Sequence, residues 1–466
     1  MKVCLVAHGF PPELVGGTEN ALDGLARGLV QAGAEVVVVA GSLAHQGGFR
    51  RSLEDLPVAG GGSLRVHRIH RADLFFDHWQ KTACTDASRA FRDVLREERP
   101  DVVHVNHWIR LSRDLVHRSA LEGVPAVVTL HDLWTSCLVT FRVRPDTGEF
   151  CEAPLAPTPC LACAAHVPPR TPWLSVESQG IALLERRADL VRELELARVV
   201  LAPSRAHADA LTRFLRLDPA RCAIEVRPNG REVGLRRRAP LPWDPPRTRL
   251  VLGAWGHLYR LKGADCILRA MRRLPDPSRV TLHLAGGEPE PAYAAELREL
   301  ARGLDVHFHG AYEAARLDQH PASAVHAFVS GTRAHESFGL VLDEAVALGL
   351  PMVLPESGAY AERAAGQGGL FYAPGDDADL ARALGRLLDD PGCLAALREA
   401  LPEPSTFTTG VAQSAGAHLE VYARAIAAGA PSDARPMPER ELIWKASQEA
   451  WDRGLAGAPG EETGLA

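Results

Sequence analysis

The chain contains no apolar run near the ~18 residues that a bilayer-crossing helix needs, so no membrane span is expected. It also lacks a strong charge of either sign. Its 52 basic and 58 acidic residues leave a formal net charge of −6, which offers no basic footprint for nucleic acid. The first residues, Met1-Lys2-Val3-Cys4-Leu5-Val6-Ala7, have neither a long apolar h-region nor a cleavage site. They read as a strand, and export is not expected. No Gly-x-Gly-x-x-Gly follows that strand, which disfavours a nicotinamide dehydrogenase. Cysteines number nine, an odd count, and Cys4 and Cys266 lie in core-like patterns, so a reducing cytoplasmic compartment is expected.

What is present is ordinary for a globular protein: 46% hydrophobic and 24% charged residues in a chain of 466, long enough for two or three domains. The first half alternates strands (3–7, 35–40, 102–105, 126–130, 199–202) with helices (18–31, 88–97, 178–194) and has a turn at 59–62. A Pro- and Arg-dense stretch at 236–248 reads as a linker. A second series follows, with strands at 250–253, 281–285, 306–309 and 327–329 and helices at 264–273, 293–304, 340–348 and 379–388. The alternation predicts an α/β protein whose parallel sheets are covered on both faces. A helix at 418–428 and a polar tail at 431–466, with a helix near 441–453, close the chain.

The run His335-Glu336-Ser337-Phe338-Gly339-Leu340-Val341-Leu342-Asp343-Glu344 holds two carboxylates with seven residues between them. Ser337 and Gly339 suit a helix start, and Gly349 stops the helix. Glu344 then sits about one turn inside, near a helix mouth whose amides and dipole attract anions. An ionised carboxylate only accepts hydrogen bonds and so suits a vicinal diol such as a ribose. The plain alternative is a charge that stabilises its own helix.

This run resembles the E-x7-E signature of the GT-B glycosyltransferases, in particular retaining family 4 (glycosyl transferases group 1). Ala345 to Val353 continue the likeness as helix, Gly stop and short strand. Further blocks resemble the same family: Phe10 to Glu19 with Gly16-Gly17, Val127-Val128-Thr129-Leu130-His131-Asp132, Gly253 to Gly263, Val199 to Ser204, Val226-Arg227-Pro228-Asn229-Gly230 and Ala285-Gly286-Gly287. The likeness covers about residues 1–425. It implies two Rossmann-like doubly wound domains facing a cleft: 1–235 on the acceptor side, a 236–248 linker, 249–411 for the nucleotide sugar, and a helix 412–430 crossing back. The 431–466 tail lies beyond the family core.

The resemblance implies a role for each matching residue. Glu344 would hold the ribose, and Glu336 the sugar hydroxyls. Ser337, Phe338, Gly339 and Leu340 form the helix mouth. His131, at a strand's carboxyl end, would reach the donor sugar. Gly16 and Gly17 would let the backbone approach the diphosphate. His107 and Asp132 are acceptor-side candidates. Lys262 would grip the diphosphate, while His257 stands where the family usually has Arg; Arg260 could replace that cation. Retention of configuration is implied. The acceptor would be a glycan, lipid-linked or small-molecule hydroxyl, with peripheral contact at the inner membrane face. A nucleotide-sugar-binding partner subunit and a GT-B epimerase or phosphorylase are the alternatives.

Asp377-Ala378-Asp379 has the form of a metal-binding D-x-D, but it precedes a helix and is expected to cap it, so no catalytic metal is expected. Cys137, Cys151, Cys160 and Cys163 lie within 27 residues, and Cys160-Leu161-Ala162-Cys163 has zinc-knuckle spacing. The prolines around them predict a loop, and the four thiolates are candidate ligands of a structural zinc, with unliganded or redox-active cysteines and an iron–sulfur cluster as the alternatives.

Overall fold

Segments such as Glu35-Val36-Val37-Val38-Val39-Ala40 are apolar without alternation, which suits strands buried on both faces. They form the centre of a first sheet in the computed structural model, which describes residues 1–44, 48–245 and 247–457. Its strands are β1 (Lys2–Ala7), β2 (Glu35–Gly41), β3 (Arg50–Pro57), β4 (Ser63–His70), β5 (Val102–Val105), β6 (Ala126–Thr129), β7 (Val199–Ala202) and β8 (Ile224–Val226). The order is β3-β4-β2-β1-β5-β6-β7-β8, parallel except for the β3–β4 hairpin. Helices α1 (Gly17–Gln31), α2 (Thr85–Glu98), α3 (Leu115–Leu121), α4 (Pro157–Ala164), α5 (Val176–Leu196) and α6 (Arg205–Leu215) belong to this part of the chain.

The second sheet holds β9 (Leu250–Trp255), β10 (Val280–Ala285), β11 (Asp305–Phe308), β12 (Ala327–Val329), β13 (Met352–Pro355) and β14 (Gly369–Tyr372). Its order, β11-β10-β9-β12-β13-β14, reverses between β9 and β12. The accompanying helices are α7 (Ala264–Arg273), α8 (Pro291–Leu300), α9 (Leu340–Leu348), α10 (Gly358–Ala364), α11 (Asp377–Asp389), α12 (Pro391–Glu399) and α13 (Pro404–Phe407). The protein is thus α/β with two doubly wound domains. In such sheets ligands bind beyond the strands' carboxyl ends, where the order reverses. The first sheet has its reversal between β1 and β5, and the two reversals locate the region to search.

Two more helices follow, α14 (Val411–Ala428) and α15 (Pro438–Gly457). The first returns to the first domain, where Ala415, Val421, Tyr422 and Ala425 join the core of Val3, Leu5 and Val38. Gly28 permits the contact, since a Cβ there would lie 2.7 Å from Val411 Cγ1. The Tyr422 hydroxyl and His104 Nδ1 are 2.8 Å apart in the same core.

Several elements differ from expectation. The β3–β4 hairpin has little continuous apolar character, and its strands are held partly by charge, with Arg68 Nε donating to Glu54 at 2.5 Å. Cys160 and Cys163 lie in a helix, α4, rather than a loop. Pro157 opens it at a position whose amide needs no partner, so the prolines favour this helix instead of breaking it. The tail forms a docked helix from 438 to 457, and 458–466 lie outside the described residues. Trp444 and Trp451, two turns apart, are buried, and Lys81 Nζ lies 5.3 Å from the Trp451 ring. Arg440 also pairs with the buried Asp189 of α5.

Burial of both indoles docks the tail helix against the first domain. Trp451→Ala is expected to lower unfolding free energy by ~3–5 kcal/mol, as large-to-small core changes do. A urea titration checks it; a change under ~1 kcal/mol would mean that the helix only rests on the surface.

Candidate active site

The residues singled out from sequence gather at the two reversals. On the first domain, His8 follows β1, Asn106 and His107 follow β5, and His131 and Asp132 follow β6. His8 Nε2 lies 2.7 Å from Glu19 Oε1, a buried carboxylate in the first turn of α1. The rings of His8 and His107 are 4.4 Å apart, and His107 and Trp134 are 4.8 Å apart.

Hydrogen bonds assign the histidine tautomers. Asn106 Nδ2 donates to the His104 carbonyl, so its Oδ1 must accept from His131 Nε2, at 2.9 Å. His131 Nδ1 is thereby left as an acceptor. Burial pushes His131 down to about 4, so it is neutral at neutral pH. His107 Nδ1 accepts from the Ile109 amide, and its Nε2 lies 3.4 Å from Asp132 Oδ2. Asp132 also accepts from the Trp134 amide at 2.8 Å. Burial opposes its ionisation, but His107 and that amide hold it at about 2.

On the second domain, Lys262 ends a 3-10 turn after β9, and its Nζ reaches Glu336 Oε1 at 2.5 Å. Burial works to lower this lysine's pKa, yet the adjacent Glu336 carries it above the ordinary lysine range. Thr332 Oγ1 donates to the same oxygen at 3.2 Å. Ser337, Phe338 and Gly339 lead into α9 at Leu340, and Arg363 lies 3.9 Å over the Phe338 ring. Gly339 has φ +76°, and a Cβ there would come 2.5 Å from the Tyr360 ring, so no other residue fits easily.

Glu344 is buried in the first half of α9. Its Oε2 accepts from Trp255 Nε1 at 2.7 Å, and its Oε1 from Arg231 Nη2 at 2.5 Å. Arg231 Nη1 also donates to the Leu340 carbonyl at 2.8 Å. Sequence reading did not single out Arg231, whose partner lies 113 residues away. His8 and Glu19 were likewise missed, although His8 stands at a strand's carboxyl end just as His131 does.

The two sets face each other. A Cβ on Gly17 would lie 3.8 Å from Leu340 Cδ1, so the Gly16-Gly17 loop opposes the mouth of α9. Ser204 Oγ, on α6's N-cap, donates to the Ser337 carbonyl at 2.7 Å. Glu362 on α10 accepts from the first amides of α6, Arg205 and Ala206, at 3.0 and 2.6 Å. The His207 and His335 rings are 5.9 Å apart.

Two expected cations are not at the site in the way the sequence suggested. Arg260 turns to α8, where it pairs with Glu296 at 2.5 Å and lies 4.8 Å from the Tyr293 ring. Its place on the turn faces that helix rather than Glu336. His257 is exposed, with Nδ1 3.5 Å from where a Cβ on Gly287 would stand. Asp376 accepts from the Ala378 and Asp379 amides, and Asp379 accepts from the Ala373 amide, so the D-x-D segment caps α11. The four cysteines line one small cavity.

Comparison with known proteins places this geometry. Residues 15–235 match Glycosyltransferase Family 4, and residues 249–390 match Glycosyl transferases group 1. D-inositol 3-phosphate glycosyltransferase 1 of Catenulispora acidiphila is 31% identical over 348 residues, 71% of this chain and 73% of its own. The D-inositol 3-phosphate glycosyltransferase of Xylanimonas cellulosilytica is 30% identical, covering 70% of this chain and 72% of its own. Sucrose-phosphate synthase from Thermosynechococcus elongatus superposes with a TM-score of 0.64 at 19% identity, over 92% of this chain and 99% of that one. Anabaena HepE in complex with UDP and glucose gives 0.58 at 17% identity, over 91% and 99%.

Two outcomes are expected. Arg231→Gln removes the cation beside the buried Glu344 and should lower unfolding free energy by ~1.5–3 kcal/mol, read by urea titration. Acid should also destabilise the fold. Unfolded histidines protonate near pH 6.5, whereas burial delays this to about 4 for His131 and about 3 for His207. Their contribution is therefore complete above pH 6.5 and falls as pH drops towards those values. The urea midpoint should decline from pH 7 to 4.5, with a shallower decline in His207→Asn.

Proposed function

The chain belongs to the family 4, group 1 glycosyltransferases of GT-B fold, and we propose that it moves a sugar from a nucleotide-diphosphate donor to an acceptor hydroxyl with retention of configuration. The observation that carries this reading is the paired arrangement of Lys262–Glu336 and Arg231–Glu344 opposite His131 and the Gly16-Gly17 loop.

In this reading the donor lies mainly on the second domain. Glu344 accepts hydrogen bonds from the ribose diol; each of its oxygens has a second lone pair beside the one used by Arg231 or Trp255. The diphosphate takes Lys262 and the amides at the mouth of α9, which releases a Glu336 oxygen for the sugar hydroxyls. Neutral His131 offers Nδ1 as an acceptor from the first domain. The bond from C1 to the acceptor oxygen forms on the face from which the phosphate leaves. The acceptor's proton passes to a leaving phosphate oxygen, so no protein nucleophile is required. Domain closure brings His131 and Glu336 to the same sugar.

On the acceptor side, Arg110 Nη1 donates to the His8 carbonyl at 3.3 Å and its Nη2 lies 3.9 Å from Asp77, while its buried Nε has no partner among the described residues. The relatives' names specify inositol 3-phosphate, and a phosphorylated polyol would suit that guanidinium. A role in cell-envelope glycan or glycoconjugate synthesis accords with such an acceptor, with the protein acting at the inner membrane face. No helix among the described residues is long and apolar enough to cross a membrane.

One observation favours a second reading, a binding subunit without turnover: Arg260 is engaged by Glu296, and His257 replaces a fixed charge. A panel of UDP-, GDP-, ADP- and TDP-sugars, with and without inositol 3-phosphate, separates the two. Transfer predicts nucleotide release from one donor, reduced at least 100-fold in Glu344→Ala and in Lys262→Ala, on the scale of lost charge-stabilising contacts. Nucleotide binding with no release from any donor would favour the binding subunit.

A further inference from the structure

The cysteine-rich segment stands apart from the transfer chemistry yet touches its edge. Cys137 follows a 3-10 turn, Cys151 follows a short hairpin closed by the Val143–Phe150 bridge, and Cys160 and Cys163 lie one turn apart on α4. All four line one cavity of about 20 Å3, and none is in a disulfide. That is room for a single ion or water rather than for an organic ligand.

Charge balance around this cavity is unusual. Arg142 is 1% exposed and Arg186 0%. Arg142 donates to the carbonyls of Cys151 and Ser136, each at 2.8 Å, and to that of Ala153, with Nη2 3.9 Å from Cys151 Sγ. Arg186 donates to the Trp134 carbonyl at 2.6 Å and to Thr82 Oγ1 at 3.4 Å, and its Nε has no partner. Among the described residues neither guanidinium has a carboxylate within ion-pair distance. Elsewhere in this domain the buried arginines Arg71 and Arg113 are paired with Asp73 and Asp189. Buried charges without counter-charges are costly and rare. Arg142 lines the cavity with the four cysteines, and Arg186 holds the turn that ends at Cys137. Four metal-bound thiolates would supply the negative charge that both lack.

The backbone supports the same conclusion. Thr140 (φ +68°) and Arg142 (φ +57°) are left-handed, which is uncommon for residues with a Cβ and a genuine outlier for the β-branched Thr140. These conformations fold Arg142 back so that its guanidinium ties the Ser136 and Cys151 carbonyls together beside the cavity.

We propose that Cys137, Cys151, Cys160 and Cys163 bind one zinc ion as thiolates, with Arg142 and Arg186 as the counter-charges of the site. Four thiolates and one divalent ion carry a net charge of −2, which the two guanidinium groups balance. Among the described residues no three ligand-type side chains already stand in metal-holding geometry, so the thiols rotate inward into their shared cavity to close on the ion. The bound ion would tie the hairpin to α4 and so hold Phe150 where its ring stacks on His335, 6.0 Å away and next to Glu336. The site is structural, and its existence does not depend on glycosyl transfer.

Metal analysis of the full-length protein, purified without chelator, tests this before any variant is needed. The expected result is about one zinc per chain, released when a mercurial titrates the thiols and detected with a colorimetric zinc indicator. Cys160→Ser and Arg142→Met should each lower zinc content several-fold in the soluble fraction. Stoichiometric iron with visible absorbance, or metal-free protein whose four thiols react freely with a disulfide reagent, would overturn the proposal. Sugar-transfer assays do not enter the readout, so this test and that of the enzymatic reading can fail separately.

Discussion

Charged groups facing an interdomain cleft must be partnered, and this constraint shapes the centre of the molecule. Glu336 and Glu344 are eight residues apart, yet their surroundings differ. Glu336 takes a lysine from the turn after β9, whereas Glu344 takes an indole N–H from β9 and a guanidinium from the segment that leaves the first domain. Each carboxylate has lone pairs left over. A polyol can therefore be accepted without stripping either of its protein donors, except where an anion draws Lys262 away. The pairing keeps both oxygens of Glu344 oriented, which a buried, unpartnered carboxylate could not sustain.

Contacts between the domains are mostly polar and short-ranged. Ser204 to Ser337, Glu362 to the start of α6 and Arg231 to Glu344 are hydrogen bonds that water can replace. Interfaces of this kind permit relative motion. Arg231 has a second attachment, because its amide donates to the Thr409 carbonyl while the neighbouring Glu232 accepts from the Val411 amide at the start of α14. Glu344 and the return helix are thus held by one short segment of chain.

Much of this was legible in the sequence where local chemistry decides. The boundaries of α9 follow from Gly339 and Gly349, both left-handed in the structure, and the capping of α11 follows from Asp376. The E-x7-E segment and the His131 strand end were found by motif, and the structure sets the Gly16-Gly17 loop against the start of α9. What escaped depends on distant partners. The β3–β4 hairpin carries Arg and Glu at positions that pairing across strands neutralises, so its pattern is not that of a buried strand. The helix around Cys160 was hidden by prolines that suit a first turn as well as a loop. Arg260 was a candidate stand-in for the arginine that His257 replaces, but Glu296 on α8 claims it. No local signal indicates that Arg231 meets Glu344. The tail's helix had been expected, but the spacing of Trp444 and Trp451, its one sign of docking, went unused.

The return of α14 and α15 to the first domain makes that domain discontinuous in the chain. Tyr422 packs among residues numbered 3 to 201, and Trp451 and Asp452 close over Lys81. On a ribosome, which delivers the amino terminus first, the first sheet can assemble early but keeps an apolar strip uncovered while the whole second domain is made. Helices α14 and α15 then act as a lock applied only after the second domain has been made. Quality-control proteases would therefore meet an incomplete chain with its first domain still open, even when every strand of that domain is already in place.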